Sequence, residues 1–109
     1  MTFQVIMKVV EMERGRDQLF FKLCSDHLSI EAIPRKMIHL DLVKLKDCVI
    51  SGHELMMWTP HFMVLKNQAG QEITLRKDGR MVIRKAASEH IAQRAAGDLM
   101  HQVQCATRN

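Results

Sequence analysis

The residues that most invite chemistry are the six histidines and three cysteines of this 109-residue chain. Cys48, His53 and His61 come nearest to a cluster, at spacings of five and eight residues. Zinc sites are usually built from two close ligand pairs. Cys48, His53 and His61 include no such pair, so no metal site is expected there and surface histidines account for the pattern. A cysteine nucleophile needs a histidine base and an orienting group. Cys24, Cys48 and Cys105 each stand outside any local motif that would supply them. GxSxG, HExxH, the P-loop and GxGxxG are all missing. The carboxylates are dispersed rather than paired for acid–base work. The expectation is a protein that is not an enzyme and has no cofactor.

The charged groups point to binding instead. The chain carries a net charge of +4, with 16 lysines and arginines against 12 acidic residues. Residues 62–86 hold Lys66, Arg76, Lys77, Arg80, Arg84 and Lys85 against Glu72 and Asp78, and the rest of the chain balances. Rows of arginine and lysine on a sheet, with an aromatic nearby, suit phosphate contacts combined with stacking or wedging. A solvated basic edge gives the same count, so charge alone does not decide. Trp58, within ELMMWTPHF, offers aromatic and methionine side chains suited to anchoring a partner. Entry of that stretch into the core is the plainer reading, as is gap-filling for the nine methionines.

The elements that must position these residues are clearest after residue 61. HFMVLK, EITLRK and RMVIRKA are three short β-type runs joined by NQAG and KDG, which carry the chemistry of tight hairpins. Ile73 with Leu75, and Met81 with Ile83, share one face. Thr74, Arg76, Val82 and Arg84 take the other, so the meander is apolar on one side and basic on the opposite side. Ser88 caps a helix over about 89–104, whose stripe of Ile91, Ala95, Leu99 and Val103, broadened by Ala92, Ala96 and Met100, should lie on the apolar face. Gly97 costs that helix about 1 kcal/mol against alanine.

Upstream, LDLVKLKDCVI at 40–50 places Leu42, Leu45 and Val49 at helical spacing behind Asp41 as N-cap, although HLDLVKLK also reads as a strand. Residues 2–12 read as a strand, 13–17 as a charged turn, and 18–33 as one or two strands ended by Pro34. The whole is a single α+β domain over 1–109: a β-rich segment, 1–37, precedes an antiparallel sheet with helices on one face, 38–109. No apolar run approaches the roughly 18 residues of a membrane span. The opening residues lack the marks of a signal peptide, and the odd, unpaired cysteines suit a reducing cytoplasm.

Leu40 to Gln104 resembles one half-repeat of the TATA-binding protein fold. LDLVKL stands where a helix begins and Pro60-His61-Phe62 where a strand opens. DGRMVIRKAASEHIAQRAAGDLM then leads from a turn into the last helix. The most specific part runs from Gly79 to Val82, through Ala86 to Glu89, to the double alanine Ala95-Ala96. The resemblance implies a curved antiparallel sheet with helices on its convex side and a first strand somewhere in 28–38. It also implies nucleic-acid binding on the concave face, where paired phenylalanines wedge between bases.

By position, Phe62 matches the first wedge and Val82 a groove-contacting valine. The second wedge falls at Arg76, and Arg84 replaces a groove-contacting threonine. The implied site is thus Phe62, Lys66, Thr74, Arg76, Val82, Arg84 and Lys85, binding DNA or RNA with weak sequence selectivity. In that family two half-repeats form a saddle; a lone one leaves a sheet edge open, so a homodimer rebuilding the saddle, or cover from the N-terminal hairpin, is expected. The alternative is an accessory subunit that uses the fold as an interaction surface, marked by an exposed apolar patch at Met56, Met57 and Trp58.

Overall fold

A computed structural model describes residues 19–23, 29–48 and 50–107, with the backbone alone for 105–107. In chain order its elements are β1 (Leu19–Leu23), β2 (Ser29–Pro34), α1 (Leu42–Lys46), β3 (His53–Trp58), β4 (Phe62–Asn67), β5 (Glu72–Arg76), β6 (Met81–Arg84) and α2 (Glu89–Thr107). The strands form one antiparallel sheet of order β1-β2-β6-β5-β4-β3. The expected α+β class, the three-strand meander and the final helix are therefore present. The strand expected over 2–12, the turn at 13–17 and Val49 lie outside the described residues.

Alternation on the strands builds the core. Met63, Leu75, Met81 and Ala32 stand opposite one another across β4, β5, β6 and β2, and Leu65, Ile73, Ile83 and Ile30 form a second row beside them. All eight are buried. The helix α2 lies over β6 and β2 and covers these rows with Ala92, Ala96, Leu99, Met100 and Val103. Small alanines let the helix backbone come close, while leucine and methionine fill the wider gaps. Ile91, assigned to the buried stripe from its spacing, is 38% exposed. It sits in the first helical turn, where Ser88 caps the helix by accepting the Ile91 N–H at 3.2 Å.

The helix at 40–50 is real but short. The Asp41 carboxylate accepts the Lys44 N–H at 3.1 Å, and Leu42 and Leu45 are buried under α2. Pro34 ends the run as expected: it is the last residue of β2, paired with Leu19 at the sheet margin. A proline is tolerated at a strand end because the sheet loses no ladder donor beyond it.

Sequence reasoning missed β3. HELMMW alternates poorly because it is the outermost strand beside β4, with Leu55, Met56 and Met57 exposed by 40%, 52% and 54%. The register slips at Met56 between Leu55↔Leu65 and Met57↔Val64, a bulge of the kind that re-aims edge side chains. The expectation that this stretch enters the core is corrected: only Trp58 packs against it. The methionines divide likewise, Met63, Met81 and Met100 being buried and Met37, Met56 and Met57 exposed.

The β5–β6 turn is the tightest joint. Gly79 has φ +86°, its N–H donates to the Arg76 carbonyl at 2.9 Å, and Arg76 N–H donates to the Arg80 carbonyl at 2.8 Å. A Cβ at Gly79 would run into the Ile38 and Pro34 side chains. Gly79→Ala should therefore lose about 1–3 kcal/mol from backbone strain and crowding together. Urea unfolding monitored by Trp58 fluorescence checks this, and an unchanged midpoint would mean that the turn has room to spare.

Candidate nucleic-acid interface

The sheet face opposite α2 collects the residues singled out from sequence. Side chains that face one another across neighbouring strands share a side, and the register places Phe62 opposite Arg76, Thr74 opposite Val82, and Lys66 and Arg84 both opposite Glu72. Phe62, Lys66, Thr74 and Val82 are half-buried, whereas Arg76 and Arg84 are exposed. Lys85 lies just beyond β6 with φ +64°, a left-handed conformation that costs a side-chain-bearing residue roughly 1 kcal/mol. All seven residues thus fall on, or beside, one surface.

The meander's own carboxylates, Glu72 and Asp78, temper that surface, and the tertiary structure adds Glu31. Asp78 accepts the Arg80 N–H at 3.0 Å through Oδ1, while its Oδ2 lies 2.9 Å from Arg76 Nη2 and 3.8 Å from Arg80 Nε. Arg80 also approaches Glu31 of β2 at 3.7 Å, and Lys85 pairs with Glu72 at 3.1 Å. Among the described residues no ion pair involves Lys66 or Arg84. The face is therefore mixed: fixed guanidinium groups beside a few free cations. Glu31 could not be counted from the 62–86 segment, because only the β2–β6 register brings it alongside.

At one end of this face an open depression of about 400 Å³ is lined by His61, Phe62, Thr74, Arg76, Lys77 and Asp78. Its shape follows from two backbone bonds that tie the turn to its surroundings. Lys77 N–H donates to the His61 carbonyl at 3.1 Å, and Leu40 N–H donates to the Lys77 carbonyl at 2.7 Å. The Thr59 hydroxyl accepts the His61 and Phe62 N–H groups at 3.1 and 3.0 Å, so the approach to Phe62 is fixed as well.

Trp58 belongs to the other side. Its Nε1–H donates to the Leu42 carbonyl at 2.8 Å, and Lys46 Nζ lies 4.5 Å from the ring centre. That contact joins β3 to α1, so Trp58 holds the fold rather than joining the exposed patch with Met56 and Met57. The nearest approach to a metal cluster also dissolves. Among the described residues no group of three potential ligands converges. The Cys48 thiol donates to the Lys44 carbonyl at 3.3 Å, and His53 Nδ1 lies 2.9 Å from the Ser51 carbonyl. Among the described residues, no helix is long and apolar enough to cross a membrane.

No protein-family model matches the chain, nor does any curated protein or solved structure.

Trp58→Phe keeps an aromatic ring, though a smaller one, and removes the bond to Leu42, so it should cost at least about 0.5–1.5 kcal/mol. Met57→Ser, exposed on the same strand, should stay within about 0.5 kcal/mol of the parent. Thermal melts of the two variants side by side check the contrast.

Proposed function

We propose that the chain is a non-enzymatic module that binds nucleic acid, with weak sequence selectivity, through the sheet face opposite α2. The observation that carries this reading is the convergence of Phe62, Lys66, Thr74, Arg76, Val82 and Arg84 on one face, with Phe62 beside Arg76 at an open depression. An aromatic ring supplies a stacking surface, arginine offers a planar cation for phosphate or base, and lysine adds a mobile positive charge.

The likeness to a TATA-binding-protein half-repeat is the fold reading that goes with this proposal. Support comes from helices on a single face and from β2 lying within the window expected for the first strand. In that reading the N-terminal hairpin has taken over one edge, since β1 pairs along the outer side of β2.

Fluorescence anisotropy with labelled DNA and RNA tests the proposal. With two to four phosphates neutralised, affinity should fall about ten- to a hundredfold between roughly 50 and 200 mM salt. Arg84→Ala and Lys66→Ala should each weaken binding and flatten that salt dependence. Absence of binding to every nucleic acid at the lower salt would reject the reading.

A second reading rests on β3, whose outer edge and exposed Leu55, Met56 and Met57 are suited to pairing with another chain. In it the protein is an accessory subunit, and a second copy is the simplest partner. Light scattering coupled to size exclusion should then give a dimer mass that Met57→Lys reduces to the monomer. A parent that stays monomeric at high concentration would remove the self-association.

A further inference from the structure

One row of side chains crosses almost the whole sheet. The strand registers set Phe20 opposite Ile33 and Phe62 opposite Arg76, and Arg76 N–H bonds to the Arg80 carbonyl. The β2–β6 register, continued by one residue, sets Ile33 opposite Arg80. The row therefore reads Phe20, Ile33, Arg80, Arg76, Phe62, with an aromatic ring at either end and two guanidinium groups between. Four strand spacings of about 4.8 Å put the two rings roughly 19 Å apart.

The charges in this row are held rather than free. Asp78 bonds to Arg76 at 2.9 Å and lies 3.8 Å from Arg80, which also faces Glu31 at 3.7 Å. At the far end the Arg35 guanidinium lies 4.2 Å from the centre of the Phe20 ring, which is itself 52% exposed. A guanidinium neutralised by a neighbouring carboxylate gives little net attraction to a phosphate. It remains flat and weakly hydrated, and so keeps its capacity to stack on a base. Rings and pinned guanidiniums recognise base faces, and a duplex hides those faces inside its stack.

We infer that the ligand of this face is a single-stranded nucleic acid laid across the strands, with bases stacking at Phe62 and at the Phe20–Arg35 pair. This rests on the nucleic-acid reading above and narrows it. The distance between the rings corresponds to about six nucleotides at the roughly 3.4 Å rise of a stacked strand, and to fewer when the strand is extended. Aromatic side chains on an open sheet are a general means of holding unpaired bases, and they tolerate any sequence because every base has a flat face.

The test is an anisotropy titration of the full chain with fluorescein-labelled oligo-dT and oligo-U of about 4, 8 and 12 nucleotides, the range of single-strand site sizes. A mixed-sequence duplex of about 12 base pairs is titrated beside them. The expected result is tightest binding to single strands of about 8 nucleotides or more, at least tenfold tighter than to the duplex. Comparison of dT with U shows whether DNA or RNA is preferred. Phe62→Leu and Phe20→Leu should each weaken single-strand binding about five- to a hundredfold. Val43→Ser, at an exposed position of α1, should leave it unchanged, and circular dichroism melts confirm that each variant is folded. Duplex binding equal to or tighter than single-strand binding would overturn this inference and leave the broader proposal standing. Single-strand binding that is indifferent to Phe20 would overturn the crossing path. Failure of every probe would end both.

Discussion

The constraint on which most of this structure depends is the four-residue turn from Lys77 to Arg80. Gly79 occupies a left-handed conformation in a space closed by Ile38 and Pro34, where any side chain would collide. The turn's first residue bonds to His61 through its N–H and to Leu40 through its carbonyl, so a single residue joins the start of β4 to the segment leading into α1. Asp78 meanwhile gathers Arg76 and Arg80. A joint that fixes the register of β5 against β6 also fixes where two arginines stand on the open face.

Register decides everything else because the side-chain period of a strand is two. With Leu75 opposite Met81 and Ile73 opposite Ile83, the apolar rows close under α2 and the polar rows are driven to the far side. The same parity carries Phe62, Thr74, Arg76, Val82 and Arg84 together without any direct attraction between them. The chemistry of the exposed face is thus a by-product of packing on the hidden one. A one-residue slip would exchange the two.

The exposed face is balanced rather than simply positive. Glu31, Glu72 and Asp78 each engage a basic neighbour, which lowers self-repulsion along the strands and keeps the guanidinium groups in place. Exposed pairs of this kind contribute little to stability, commonly less than about 1 kcal/mol. Their consequence is orientation: side chains that would otherwise sample many rotamers are presented in a preferred plane. The edge strand β3 is handled differently, with a bulge at Met56 and a tryptophan tied back to α1.

By itself the sequence determined the local elements whose causes are local. Asp41 and Ser88 mark helix starts through side-chain caps, the glycine turns mark hairpins, and period-two alternation in β4 to β6 separates Met63, Ile73 and Met81 from Lys66, Arg76 and Arg84. Tertiary structure alone decided what distance along the chain conceals. HELMMW carries no clean alternation because an edge strand has little to bury, so β3 emerged only from its pairing with β4. Glu31 lies 49 residues before Arg80 in the numbering yet tempers its charge, and Phe20 completes a row whose other end is Phe62. Those neighbours are set by the order β1-β2-β6-β5-β4-β3, in which the segment carrying α1 takes the chain from β2 to the far edge strand β3 and the meander returns to pair its last strand with β2. Strand order is settled by how the apolar rows and α2 close on one another, and that is a property of the assembled core rather than of any one segment.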